Sequence, residues 1–395
     1  MGAKIIRRLR TGERNPEPRH TANPESRASK PRSPGHVLVL AWVILCLGMV
    51  GRAEAQNIHS DPAISLRTSF ALAQGWDQEK LSQARQFAQK IGSTAVVVMH
   101  KGKLVAEWGD TALPSNTHSL RKSLLSALYG VAVQKKLIKL SSTLEDLGID
   151  DNPPSLTRTE KQATVLDLLK ARSGVYHPAA YESAKMKRLR PKRGSHPPGT
   201  FWYYNNWDFN VLGTIFEKQT NLSIGKAFAK WIAGPIGMQD FKAENVKYVW
   251  DDCSQHPAYP TWISARDVAR FGLLFLGMGR WNQKQIIPKQ WVIDSTTSYS
   301  QTKNWSDGKG GYGYMWWIRP GMGYYGSGAA GQKVLVLPKQ ELVVVNRVNT
   351  GPPSFLKLSR QEKRRLTRNL NPVSLGEFVQ LARLVIQAEP TSNSS

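Results

Sequence analysis

The sequence predicts an α+β fold, in which an antiparallel sheet flanked by terminal helices carries a large helical insertion. Three features predict it. Ser93–Met99 and Leu104–Trp108 are β-rich runs on either side of His100-Lys-Gly-Lys103, the pattern of a hairpin. Gln332–Leu337 and Leu342–Asn346, around Pro338-Lys-Gln-Glu341, repeat that pattern near the other end, with helix-rich sequence between the two. Ser374–Glu389 places Leu375, Phe378, Val379, Leu381, Ala382 and Val385 at helical spacing, so a helix with one apolar face closes the chain. Hairpins at both ends with helices between them give segregated elements, which is α+β organisation.

The 395 residues are 41% hydrophobic and 9% aromatic, too apolar for a disordered chain and enough for one large or two unequal cores. Lys and Arg number 54 against 29 Asp and Glu, and the net charge of +25 favours anionic surroundings. With only Cys46 and Cys253, neither a disulfide framework nor a Cys-rich zinc site is available. No apolar stretch reaches the roughly 20 residues of a membrane span. No block repeats at a fixed period, which excludes solenoids.

In chain order, residues 1–36 are rich in Arg, Pro and Ser without apolar periodicity, and no fold is expected there. Val37–Val50 is an apolar run of 14 residues followed by Ala53-Glu-Ala55, which reads as a secretory signal peptide cleaved before Gln56. The long basic region leaves two alternatives open, a start placed too far upstream and an uncleaved inner-membrane anchor. The expected organisation is a disordered basic region plus signal peptide over 1–55 and a lead-in over 56–92 with a short helix around Glu79–Ile91. A main domain follows over 93–348, with its helical insertion at roughly 135–310, then a basic linker and packed helix over 349–389 and a tail over 390–395. The expected location is periplasmic or secreted.

The chemistry starts at His118-Ser-Leu-Arg-Lys122, which opens a segment with Leu120, Leu124, Leu128 and Val131 on one stripe. A helix beginning at or just before Ser119 puts Ser119 and Lys122 one turn apart, so hydroxyl and amine face the same way. Unpaired N–H groups at a helix start would stabilise an oxyanion. To act as a base, Lys122 must be neutral, which requires burial or a neighbouring cation. Ser-x-x-Lys also occurs at Ser223, Ser300, Ser306 and Ser354, but only Ser119 heads a strongly apolar helix. Pro198–Gly213 supplies a phenol and an amide, Tyr204 and Asn206, and a tyrosine beside a lysine can relay a proton. Tyr325-Gly-Ser-Gly-Ala-Ala-Gly-Gln332 leads into a strand, and its glycines would let backbone approach a ligand.

Taken in order, Ser119-x-x-Lys122, Tyr204-x-Asn206 and Gly326-Ser-Gly328 resemble the three motifs of the class C β-lactamase and D,D-peptidase-like serine hydrolases. Val165–Gly174, Pro235–Met238 and Ser264–Asp267 resemble supporting blocks of that family, and the resemblance runs from about Ser93 to Val348. Gly311–Trp317 and the Gly-x-x-Gly-Gln332 form look like the branch containing 6-aminohexanoate-dimer hydrolase and related esterases. The resemblance implies a β-lactamase/transpeptidase-like fold. It implies Ser119 as acylated nucleophile, Lys122 as its base, Tyr204 as proton shuttle and Asn206 as the residue orienting Lys122 and substrate. The N–H groups of Ser119 and Ala329 would form the oxyanion hole. In the family the third motif usually opens with Lys or His, whereas this chain has Gly326, and an arginine such as Arg347 could substitute for that cation.

Among the tryptophans, Trp207 and Trp316 are expected at the substrate because they adjoin the motifs, while the others are expected in the core. The basic segment Lys185–Arg193 precedes the Tyr204 motif and either rims the cleft, attracting anionic envelope polymers, or is a solvated loop. The scattered histidines lack metal-ligand spacing, so neither metal nor cofactor is expected. Lys357–Arg368 is basic but without nucleic-acid-binding motifs, and no nucleic acid is expected. The expected activity is that of an exported esterase or amidase acting on a small-molecule or peptide-like substrate. The alternatives are a cell-wall D,D-peptidase or β-lactamase, and a non-catalytic peptidoglycan-binding protein.

Overall fold

The structure, a computed structural model, describes residues 75–302, 309–368 and 370–390. The basic N-terminal region, the apolar run at 37–50, the cleavage position and the Ser306 tetrad lie outside the described residues. Eight strands form one antiparallel sheet: β1 Ala95–His100, β2 Lys103–Gly109, β3 Ser300–Gln301, β4 Gly311–Tyr312, β5 Trp317–Arg319, β6 Gly323–Gly328, β7 Gln332–Leu337 and β8 Leu342–Arg347. Their spatial order is β2-β1-β8-β7-β6-β5-β4-β3, so the first hairpin joins the last one edge to edge. Both predicted hairpins form. Lys101 and Gly102 turn the first with φ of 49° and 77°, the mirror-image conformation that suits the strand twist.

The longest helices among the described residues are α1 Gln78–Lys90, α2 Arg121–Gln134, α3 Asn206–Thr220, α4 Ala265–Leu276 and α5 Leu375–Gln387. Local sequence starts each terminal helix. The Asp77 carboxylate accepts from the Lys80 N–H to cap α1, and Ser374 with Glu377 forms a reciprocal capping box on α5. The buried stripe Phe378, Leu381, Ala382 and Val385 seats α5, which packs on α1. On the other side α4 lies across β1, β7 and β8, close enough that a side chain at Gly272 would collide with Val343. With both faces covered, β7 and β8 are buried along their whole length, which explains their near-continuous apolar sequence.

Between β2 and β3 the chain builds the helical part. Helix α2 is its axis, buried from Arg121 to Ala132. The blocks that flank the motifs in sequence are its scaffold. Asp267, capped into α4 by Ser264, accepts the N–H groups of Gln239, Asp240 and Phe241 and ties the 235–241 turn to that helix. Among the described residues no helix is long and apolar enough to cross a membrane.

Candidate active site

Ser119 sits in a 3₁₀ turn, His118–Leu120, that leads directly into α2. The turn is held from both sides: the His118 N–H donates to Asn116 Oδ1 at 2.8 Å, and Thr117 Oγ1 donates to Thr261 O at 2.9 Å. His118 adopts φ of 46°, a left-handed conformation costly for a non-glycine residue, and it turns the chain just before Ser119. One turn on, Lys122 Nζ lies 2.8 Å from Ser119 Oγ. The Tyr204 hydroxyl is also hydrogen-bonded to the Ser119 side chain. The first two sequence motifs therefore meet at one oxygen.

The electrostatics follow from burial. Lys122 is 1% exposed, and its amine lies 4.8 Å from the Tyr204 ring and 4.9 Å from the Phe209 ring. Burial, reinforced by the Arg121 guanidinium, holds its pKa well below the ordinary lysine range, which favours the neutral amine. Arg121 is itself buried between the Tyr181 and Tyr259 rings, donates to His118 O at 3.2 Å, and leaves Nε and Nη2 without hydrogen-bond partners. Burial pushes Tyr204 up to about 12, against the opposing effects of Ser119 and Arg121, so the phenol stays protonated near neutrality. Burial and the neighbouring cations push His118 down to about 4, so its ring, 3.0 Å from Thr350 Oγ1, is neutral.

Tyr204 is placed by the start of α3. Asn205 caps that helix through the Trp207 N–H and donates to Asp208, which also accepts from Ser173 Oγ at 2.6 Å. Ser173 comes from the 165–174 block, so this buried network ties one motif to the other. The Asp208 carboxyl is raised well above its ordinary range by burial.

Strand β6 forms the opposite wall. A side chain at Gly326 would collide with Leu120 Cδ1 and come within 3.1 Å of Val334 Cγ1, so the turn bearing Ser119 fills the place where the resemblance puts a cation. At Gly328 an added side chain would collide with Thr117 O and come within 3.1 Å of the Ser119 nitrogen. The absence of side chains at both positions lets the strand end lie against the Ser119 amide. The cavity between the walls has a volume of about 550 Å³ and is lined by Ser119, Tyr204, Trp317, Tyr325, Ser327, Gly328, Ala329 and Lys333, with Tyr181, Glu182 and Met186 above.

Several expected residues lie elsewhere. Trp207 is fully buried and donates to Asp151 Oδ2 at 2.6 Å, and Trp316 is fully buried among Phe271, Phe275 and Tyr324; both are core, and neither lines the cleft. Trp317 lines it instead. Asn206 donates its amide to Tyr181 O at 2.7 Å, which anchors the loop over the cleft. Arg347 does not supply the missing cation, because it donates to Gln332 Oε1, Ile263 O and Ser115 O, all between 2.6 and 2.8 Å, and serves as a structural tie. In the basic segment, Met186 reaches the cleft while Arg190 and Arg193 are neutralised by Glu182 and Glu160. Among the described residues, no group of His, Cys, Asp and Glu could hold a metal.

Solved structures repeat this architecture. A Bacillus anthracis protein provisionally designated a 6-aminohexanoate-dimer hydrolase is 23% identical, with 76% of this chain and 80% of that one covered at a TM-score of 0.56. A provisionally designated beta-lactamase from Bacteroides dorei DSM 17855 is 15% identical, with 79% and 99% covered at 0.57. A penicillin-binding protein from Bacillus halodurans is 13% identical, with 69% and 97% covered at 0.52. At these identities the likeness is one of fold. No curated protein matches the chain. The family profile described as Beta-lactamase matches residues 77–368, which spans most of the chain and both motif-bearing walls, and the protein therefore belongs to the beta-lactamase family and has its serine-hydrolase fold.

Proposed function

We propose that this protein is an exported serine hydrolase that cleaves an ester or amide bond through an acyl-enzyme on Ser119. The observation that carries the reading is the single oxygen, Ser119 Oγ, held by both Lys122 and Tyr204 at the wall of a cavity. In this mechanism Oγ attacks the substrate carbonyl as its proton passes to neutral Lys122. The oxyanion that forms is received by the N–H groups of Ser119 and Ala329. Tyr204, protonated near neutrality, delivers a proton to the leaving group as the bond to it breaks and is reprotonated by Lys122, which returns to the neutral amine. Water then attacks the acyl-enzyme and the same groups return the proton to Ser119. The apolar run at 37–50 with Ala53-Glu-Ala55 supports export, with Gln56 as mature N-terminus.

The test combines intact-mass labelling by a fluorophosphonate with turnover of 4-nitrophenyl esters. One adduct on the wild type, with labelling lost and turnover reduced by about 10⁴-fold or more in Ser119→Ala, is expected. A well-folded wild type with neither adduct nor turnover would point to a non-catalytic envelope-binding protein. Labelling by a fluorescent penicillin would move the assignment to a D,D-peptidase or β-lactamase.

A further inference from the structure

Lys333 is a second buried lysine of the cleft, and no sequence motif singles it out. It stands opposite Ser327 in the β6–β7 register and is 6% exposed. Its ammonium donates to Ser327 Oγ at 2.9 Å and to Gly328 O at 3.3 Å. An ammonium has three donors, so one remains, and the residue lines the cavity that holds Ser119. No carboxylate among the described residues pairs with it. Glu182, the acid lining the same cavity, is taken by Arg190.

Taking a lysine out of water without an anionic partner is costly, and burial alone lowers its pKa to about 8. Arg347 on the next strand solves the same problem with three protein acceptors, whereas Lys333 keeps a donor toward the cavity. Gly328, whose carbonyl holds Lys333, also abuts the Ser119 amide, so the cation lies beside the acylation site. The wall contributed by Trp317, Tyr325 and Met186 is apolar. The cavity therefore has one cationic corner and one apolar flank.

We infer that Lys333 is a specificity-determining residue that binds a carboxylate of the substrate, making the preferred substrate an ester or amide with an apolar portion and one carboxylate. This rests on the hydrolase reading above and deepens it. Two matched pairs place the carboxylate on either side of the scissile bond: 4-nitrophenyl hydrogen adipate against 4-nitrophenyl hexanoate, and 3-acetoxybenzoate against phenyl acetate. The expected result is a preference of about tenfold or more in kcat/KM for the carboxylate member of one pair. Lys333→Met should abolish it through KM, with the neutral ester changed less than about threefold, and Lys333→Arg should restore most of it. Lys333→Gln gives the same reading should the Met variant not fold. Equal losses for both members, or no preference in the wild type, would overturn the inference while leaving the hydrolase standing. If no ester turns over, thermal stabilisation of Ser119→Ala decides. A larger shift with monomethyl adipate than with dimethyl adipate, lost on Lys333→Met, supports the carboxylate site, and equal shifts refute it.

Discussion

The two walls of the cleft are built by different means. On the helix wall, Ser119 and Lys122 meet because they are one turn apart, and rings from α3 and its approach remove water around the amine. On the strand wall, nothing is local: Gly326 and Gly328 accept the close approach of the turn bearing Ser119, while Ser327 and Lys333 meet across two strands. Each wall buries a lysine, and each lysine has a depressed pKa, but for different ends. Lys122 spends its contact on Ser119, and Lys333 keeps a donor toward the cavity. In the proposed reading a helix turn supplies reactivity, and cross-strand register supplies the recognition of substrate charge.

The largest effect that would break this comparison is on the helix wall. Tyr204→Phe removes the proposed proton relay without disturbing ring packing and should lower kcat for 4-nitrophenyl esters by about 10²- to 10⁴-fold with the melting temperature retained. A drop of less than threefold would detach Tyr204 from the chemistry. On the strand wall, Gly326→Lys restores the residue that the family resemblance calls for, but its side chain meets Leu120. It should destabilise the protein by about 1–3 kcal/mol in a denaturant titration rather than improve activity.

Smaller effects sharpen the difference between the lysines. In the proposed mechanism neutral Lys122 is the active form, so kcat/KM should fall as acid protonates it. Removing the neighbouring cation by Arg121→Gln should raise the Lys122 pKa and move that acid limb to higher pH in a pH–rate profile. Lys333 should behave oppositely, since in the inferred site its protonated form binds carboxylate. Preference for the carboxylate ester over its neutral partner should therefore decline as pH rises through about 8. Other titratable groups lining the cavity are His118, Tyr181, Glu182, Tyr204 and Tyr325. His118 at about 4 and Tyr204 at about 12 do not titrate in that window, and Lys122 acts on both esters alike.

What the sequence disclosed divides along the same line. The hairpins, the terminal helix and the Ser119–Lys122 pair were legible because spacing within one element determines them. Trp316 and Trp317 show where that ends. Adjacent residues entering a strand point to opposite faces, so Trp316 packs on Phe271 in the core while its neighbour lines the cleft. Proximity to a motif does not reveal the face. Arg347 was equally illegible, since its carbonyl partners Ser115 and Ile263 lie far away in the chain. Lys333 could be found only by pairing β7 with β6, and Tyr181 only from the loop that crosses the cleft.

The most direct test is to trap the acyl-enzyme. Purified protein is mixed with a slowly hydrolysed 4-nitrophenyl ester, quenched in acid within the first turnovers, and mapped by peptide mass spectrometry. The account predicts a single adduct of the acyl mass on Ser119, lost in Ser119→Ala and sharply reduced in Lys122→Met. Acylation of another residue such as Ser327, or continued turnover without any adduct in Ser119→Ala, would contradict it.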